Sequence, residues 1–153
     1  MCSSDLEASL ALLRESPEIP TASAIAERAG YSVRSVFERF PDLHALRVVA
    51  TDYGFTQGMA QAVARDVHGD RGSRIRSHVE TRSWICEQWL PLWRALVANQ
   101  GDSAELKARI VAIRQSILGR IELMYEAELS RLDDVVRRQT ILAIDALVGI
   151  GRA

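Results

Sequence analysis

The stretch that most constrains the fold is TASAIAERAGYSVRSVFERFPDLHAL, which begins at Thr21. Its apolar and turn residues predict two short helices, over 22–29 and 33–40, with a third helix following directly. Thr21 and Ser32 precede these helices, where a hydroxyl can accept a free backbone N–H group of the first turn. Gly30 suits the left-handed position that ends a helix. Two short helices joined in this way are typical of proteins that place the second helix in the major groove of DNA.

The second of these helices is predicted to have one anchored side and one free side. Val36 and Phe40 lie four residues apart, and we expect them to hold the helix against a core. Ser35 and Arg39 then lie on its flanks. The residues that point away from this core are Val33, Arg34, Phe37 and Glu38.

The same stretch resembles the DNA-binding signature of TetR/AcrR-type transcriptional regulators. The resemblance covers about a sixth of the chain, and the remainder is similar to the family only in its helical layout. The positions that carry the resemblance are Thr21, Ile25, Ala26, Ala29, Gly30, Ser32, Phe37, Phe40, Pro41 and Leu46.

Two departures from the family pattern bear on DNA affinity. Phe37 stands where the family usually has tyrosine, so one hydroxyl that would reach a phosphate is absent. Leu43 stands where the family usually has lysine, and His44 is the nearest substitute, although histidine is a weaker partner for phosphate than lysine. We therefore expect each monomer to bind DNA more weakly than is usual in the family.

The resemblance implies an all-α protein with an N-terminal three-helix, helix-turn-helix DNA-binding domain over residues 1–47. Residues 48–153 would form an orthogonal helical bundle for ligand binding and dimerisation, present here in incomplete form. A homodimer of such chains would place two copies of the second short helix in successive major grooves of a palindromic operator, about 34–36 Å apart. The chain would then be a cytoplasmic bacterial regulator, in the first instance a repressor, released from double-stranded DNA by a small-molecule effector.

The resemblance also assigns contacts to particular residues. Base edges would be read by Val33, Arg34 and Ser35, with Arg34 the guanine reader. Phosphate contacts would position the helix without reading sequence. The residues expected to make them are Thr21, Ser32, Phe37, Arg39 and His44.

Downstream, the periodicity predicts further helices over 42–66, 73–90, 91–99 and 103–128, and a last one that starts near 129–133. Pro91 is expected to start a new helix because proline suits a first turn. In the last helix, the spacing predicts that four residues face inward, namely Leu132, Val136, Ala143 and Leu147.

All three tryptophans lie near Pro91, which makes this region a candidate wall for an apolar or aromatic ligand. The alternative is that tryptophans at helical spacing belong to the core or to an interface. The residues proposed to line the pocket are His78, Arg82, Ile85, Trp89 and Trp93.

Charge gives an argument against DNA binding. Residues 1–50 contain five arginines and seven acidic residues, a net charge of −2, whereas DNA-binding surfaces are usually basic. Arg34 and Arg39 lie on the second short helix, which would enter the major groove, and this placement favours DNA binding. A helical protein-interaction module without DNA-binding activity is therefore the alternative function.

Other classes of protein are not indicated. The chain has no Gly-rich phosphate loop, no Cys/His metal spacing and no serine nucleophile motif, so we expect no enzyme, cofactor or metal site. No apolar run approaches the roughly 20 residues that span a bilayer, so no membrane segment is expected. Cys2 and Cys86 form no disulfide framework, which suits a reducing cytoplasm.

The residues at the two ends of the chain suggest an artificial origin. Residues 1–6, MCSSDL, are what the end of a common sequencing adapter encodes, and residues 150–153 fit its complement more loosely. We therefore expect a gene fragment with artificial ends, with a naturally short chain as the alternative. Native coding sequence continuing in frame upstream of Met1 would exclude the adapter origin.

Overall fold

The computed structural model describes residues 3–61 and 67–148, and these residues form eight helices and no strand, which confirms the predicted all-α class. In chain order the helices are α1 Ser3–Glu15, α2 Ala22–Ala29, α3 Val33–Arg39, α4 Leu43–Gln61, α5 Arg71–Ala98, α6 Ala104–Met124, α7 Glu126–Leu129 and α8 Asp134–Val148.

The start of each short helix follows from its cap. The Thr21 hydroxyl accepts from the Ala24 N–H at 3.2 Å, and the Ser32 hydroxyl accepts from the Ser35 N–H at 3.1 Å. Both caps have the extended backbone that the position requires. The predicted starts of α2 and α3 are thus confirmed. Helix α3 ends one residue earlier than predicted, since Phe40 has an extended backbone.

The turn between α2 and α3 depends on Gly30, whose φ of 75° lies in the left-handed region. Its N–H bonds back to the carbonyl of Glu27 at 3.2 Å, and the Tyr31 N–H bonds to that of Ala26 at 2.9 Å. These bonds satisfy carbonyl groups that the end of α2 would otherwise leave unpaired.

Gly30→Ala is therefore expected to lower the free energy of unfolding by about 1 kcal/mol, because an L-residue is strained at this φ. A Cβ at Gly30 would have no heavy atom within 4 Å, so the expected loss is conformational and not steric. Gly119→Ala is the matched control, since a Cβ there is equally unobstructed but the position is helical. Urea unfolding should show Gly119→Ala unchanged or stabilised by roughly 0.5–1 kcal/mol. Equal effects of the two substitutions would contradict this account of the turn.

Two further predicted helix boundaries are wrong, and the predicted end of the helix over 42–66 lies outside the described residues. Helix α5 continues through Pro91, although a new helix was predicted to start there. Leu92 and Ala95, on the C-terminal side of the proline, are buried, and this burial offsets the one backbone hydrogen bond that proline removes. The long helix predicted to reach residue 128 ends at Met124, because Tyr125 has φ −115° and ψ 20°.

The inward face predicted for the last helix is also wrong. Leu132 and Val136 are exposed, and Leu147 is 86% exposed. Ile141 is buried instead, and Ile144 packs against the same core. Leu132 lies before this helix, which begins at Asp134 with the Asp133 carboxylate accepting from the N–H groups of residues 135 and 136 at 3.0 Å. The side of the helix that packs is the one that carries Ile141 and Ile144, because these side chains meet the core of Ile121 and Leu129.

The described residues belong to two compact units. Those within Met1–Met59 and Pro91–Ile110 form the first unit, and those within Ala60–Leu90 and Val111–Ala153 form the second. These units group residues by contact, and the domain boundary expected between residues 47 and 48 stays a prediction.

Each unit has its own apolar core. In the first, the most deeply buried large side chains are Ile25, Val36, Leu46 and Leu106. In the second, the core consists of Ile121, Leu129 and Ile141, with Leu118, Tyr125 and Ile144 packed against it.

Candidate functional site

Helix α3 has one buried side and one exposed side. Val36 is fully buried and Phe40 is 3% exposed, as the sequence predicted. On the other side, Val33 is 37% exposed and Phe37 is 44% exposed. The side chain of Arg34 is 88% exposed. Two apolar side chains and one guanidinium therefore form a surface that the first unit leaves accessible.

The three residues predicted to read bases lie at the start of this helix. Arg34 donates from Nε to Glu38 Oε1 at 2.9 Å, one helical turn away. Such exposed pairs contribute about 0.3–0.5 kcal/mol, so a stronger acceptor can displace Glu38. Ser35 is half-buried, and its hydroxyl lies 2.9 Å from that of Ser32. Val33 and Arg34 are thus more accessible than Ser35.

The residues predicted to contact phosphate have different surroundings. Thr21 and Ser32 are exposed and serve as helix caps, and Phe37 is exposed. His44 lies with Nε2 3.6 Å from Glu105 Oε2. Arg39 is already bound by a carboxylate, so a phosphate contact from Arg39 would compete with an existing ion pair.

That carboxylate is Asp5 of α1, which is fully buried. Arg39 donates from Nε to Asp5 Oδ2 at 2.5 Å and from Nη2 to Oδ1 at 2.9 Å. The guanidinium also lies 4.8 Å from the centre of the Tyr31 ring. This bidentate pair ties the end of α3 to α1, and it was not predicted from the sequence. Its signal in the sequence is an acidic residue next to Leu6, which is 2% exposed in the structure.

A second ion pair in the first unit lies at the surface. Arg28 of α2 donates from Nη1 and Nη2 to Glu15 at 2.9 and 2.7 Å. This hydrogen bond holds the pKa of the Glu15 carboxyl below its usual range. The two side chains remain 39% and 59% exposed, so the pair contributes far less to stability than a buried one.

The second unit contains a largely enclosed cavity of about 60 Å³. Of the five residues predicted to form a pocket, it brings together His78 and Arg82. Ile85 and Trp89 are half-buried on α5 but are not among its lining residues, and Trp93 belongs to the first unit. The described residues that line the cavity are Val67, His78, Thr81, Arg82, Arg120, Leu123 and Met124.

The described residues that line the cavity include two arginines and no acidic residue. Burial lowers the pKa of His78, and the nearby charges of Arg82 and Arg120 lower it further. His78 Nδ1 lies 2.9 Å from the Tyr125 hydroxyl. Burial and the charge of Arg82 also lower the pKa of Arg120. His78 and Arg82 were among the pocket residues predicted from the sequence, whereas Arg120, which a distant stretch of chain supplies, was not.

Arg74, another buried arginine of the second unit, stabilises the end of α6. It donates from Nη1 to the Met124 carbonyl oxygen at 2.7 Å. It also donates to both carboxylate oxygens of Glu128, at 2.9 and 2.6 Å. A cation at a helix C-terminus satisfies free carbonyl groups and is favoured by the helix dipole. This contact fixes the break at Tyr125, beside the cavity residue His78.

The lowered pKa of His78 predicts a pH dependence of stability. The groups that face its ring are Arg82 on α5, Arg120 on α6 and the Tyr125 hydroxyl. As the pH falls below the ordinary value of 6.5, the unfolded chain takes up a proton at this histidine before the folded chain does. The stability contributed by neutral His78 is thus fully present above pH 6.5 and is lost as the pH falls through the folded-state pKa. Between pH 7.5 and 5.5, urea unfolding should show a larger loss of unfolding free energy for the wild type than for His78→Gln. Equal losses would contradict a lowered pKa of His78.

Two classes of site are not found in the part of the chain that the structure describes. Within residues 3–61 and 67–148, His, Cys, Asp and Glu side chains do not gather in groups of three or more that could hold a metal ion. None of the described helices combines the length and the apolar character needed to cross a membrane.

Comparison with known proteins adds no relative. Neither the family models, nor the curated proteins, nor the solved structures include a significant match to this chain.

Proposed function

We propose that the chain is a DNA-binding transcriptional regulator of the TetR/AcrR type, a repressor in the first instance, in which α2 and α3 form the helix-turn-helix unit. The observation that carries the proposal is the exposure of Val33, Arg34 and Phe37 on α3, opposite the buried Val36 and Phe40. A recognition helix must be anchored on one side and accessible on the other, and α3 meets both conditions.

Arg34 suits the role of base reader. Its guanidinium is the side chain best shaped for two hydrogen bonds to the O6 and N7 atoms of guanine. Its exposed partner Glu38 can rotate away, and DNA then replaces one weak ion pair by two directed hydrogen bonds. Val33 offers a methyl surface to the C5-methyl group of thymine. The pair would therefore read a short G- and T-containing half-site.

Phosphate binding by a single chain should be weak. Within the first unit, Arg28 and Arg39 are bound by carboxylates, and His44 lies beside Glu105. Few phosphate contacts mean little counterion release, so we expect a shallow dependence of affinity on salt concentration. Binding of two chains to one palindrome would supply the missing affinity. In this proposal a small ligand in the helical region modulates operator binding through that dimer.

A helical protein-interaction module is the second candidate, and two observations favour it. The exposed surface near α3 contains the large apolar side chains Tyr31, Val33 and Phe37, which are 45%, 37% and 44% exposed. Aromatic residues of this kind are enriched at protein interfaces. The net negative charge of residues 1–50 also suits a protein partner better than a nucleic acid.

Selection from a library of random DNA duplexes separates the two candidates. The regulator predicts enrichment of one sequence, built from two inverted half-sites whose centres lie about one helical turn apart or a multiple of it. The wild type should be compared with Val33→Glu, which puts a negative charge on the exposed side of α3 without changing the core. Enrichment of the same sequence by both proteins, or of none by the wild type, would reject DNA reading by α3.

A further inference from the structure

The cavity of the second unit has a distinctive combination of charges. Among the described residues that line it, two are arginines and one is histidine, while none is acidic. Arg82 is 8% exposed and His78 is 7% exposed, so both polar groups are buried. Like charges close together in an enclosed space are unfavourable unless a counter-charge accompanies them. Arg82 takes part in a further interaction of its own, so the question of a counter-charge concerns Arg120.

Arg120 is the residue most in need of such a counter-charge. It lies on α6 and is half-buried. Among the described residues, Arg120 takes part in no hydrogen bond or ion pair. The charge that acts on it is that of Arg82, which lowers the pKa of Arg120 in addition to the effect of burial. A negative group in the cavity would reverse this unfavourable interaction.

The rest of the lining contains both polar and apolar side chains, which suits an amphipathic ligand. Thr81 contributes a hydroxyl, and His78 contributes a ring that is held by the Tyr125 hydroxyl at 2.9 Å. The other lining side chains are apolar, namely Val67, Leu123 and Met124. A ligand that pairs a charged end with a short apolar part would match both surfaces.

The volume limits the size of that ligand. A space of about 60 Å³ is several times the roughly 10–15 Å³ that one water molecule needs, so it takes a group of only a few heavy atoms. A carboxylate accepts two parallel hydrogen bonds from one guanidinium, which fits Arg120 better than a single-atom anion does.

We propose that this cavity is a binding site for a small organic carboxylate with a short aliphatic part, held by Arg120 together with His78 and Thr81. Binding of the carboxylate does not depend on DNA binding by α3. Only its consequence for operator affinity rests on the proposed regulator function. The proposal also differs from the apolar or aromatic ligand predicted from the tryptophans, because the cavity selects for charge.

The test is an NMR titration of the full chain that follows the imidazole signals of its three histidines. With sodium butyrate as the probe, we expect the His78 signals to move in a saturable way while those of His44, in the first unit, do not. Butanamide has the same shape without the charge and should leave His78 unchanged. Inorganic phosphate should bind at least about tenfold more weakly than butyrate, since it cannot use the apolar lining.

Variants of Arg120 identify the partner of the carboxylate. Arg120→Gln should weaken butyrate binding by at least about tenfold, the expected loss for a hydrogen bond to a charged group. Arg120→Lys keeps the charge and should retain part of the affinity, which covers the case in which Arg120→Gln fails to fold. Arg114→Gln, on an exposed position of the same helix, is the control and should bind as the wild type does.

Any one of three results would overturn the proposal. The first is that butyrate does not shift the His78 signals, and the second is that butanamide binds as tightly as butyrate. The third is that the Arg120 variants bind butyrate with the affinity of the wild type. Equal affinity for phosphate would overturn the assignment to an organic carboxylate. Since none of these measurements involves DNA, their failure is distinguishable from failure of the regulator proposal. If both proposals hold, butyrate should change the mobility shift of the selected duplex by the wild type but not by Arg120→Gln.

Discussion

Arg34→Ala is expected to weaken binding of the selected DNA duplex by about 1–3 kcal/mol, which is roughly a 5- to 150-fold increase in Kd. The loss arises because alanine cannot make the two hydrogen bonds by which arginine reads guanine. Repeating the selection with the variant should show relaxed preference at one base pair in each half-site. Stability should hardly change, since the Arg34 side chain is 88% exposed and its ion pair with Glu38 lies at the surface.

Arg114→Ala is the control for loss of one positive charge, because Arg114 is an exposed arginine of α6. The affinity is measured by fluorescence anisotropy of a labelled duplex at two salt concentrations. The affinity of Arg114→Ala should stay within about twofold of that of the wild type. An equal loss for both variants would reduce the role of Arg34 to general electrostatic attraction. No loss for Arg34→Ala would contradict its assignment as a base reader.

Asp5→Ala is expected to lower the free energy of unfolding by about 3 kcal/mol, the largest effect on stability predicted for this chain. The substitution removes a fully buried carboxylate and leaves the guanidinium of Arg39 partly buried without its bidentate partner. Because this pair ties α3 to α1, α3 should also be held less rigidly in the variant. Urea unfolding followed by circular dichroism measures the effect on stability.

Glu15→Ala is the matched control, since it removes the carboxylate of the exposed pair with Arg28. It is expected to lower the free energy of unfolding by less than about 1 kcal/mol, as is usual for surface ion pairs. The double variant Asp5→Ala/Arg39→Met should recover part of the stability, because no buried charge is then left without a partner. Similar costs for Asp5→Ala and Glu15→Ala would show that burial does not set the strength of the Asp5–Arg39 pair.

Local chemistry made part of the fold predictable. Thr21, Ser32 and Gly30 act through hydrogen bonds to neighbours within four residues, so the sequence alone contains the whole interaction. The buried side of α3 follows in the same way from the spacing of Val36 and Phe40. The sequence therefore predicted α2, the turn and the exposed side of α3.

Interactions between distant residues were not predictable in this way. The Asp5–Arg39 pair joins positions 34 residues apart, and Arg74 meets Glu128 across 54 residues. Continuation of α5 through Pro91 depends on burial of residues beyond the proline, which outweighs its local preference. Likewise, the cavity combines His78 with Arg120, and nothing in the spacing of either helix alone joins the two.

The claim on which the proposed function depends is that the exposed side of α3 lies against DNA. The most direct measurement places the photoreactive residue p-benzoylphenylalanine at Val33 on α3 or at Val111 on α6, which are 37% and 53% exposed. After irradiation with the selected duplex, denaturing gel electrophoresis detects a covalent protein–DNA product. We predict a product from position 33 that excess unlabelled specific duplex suppresses, and none from position 111. A product from position 111 alone, or none from position 33 on a duplex that the protein binds, would contradict DNA recognition by α3.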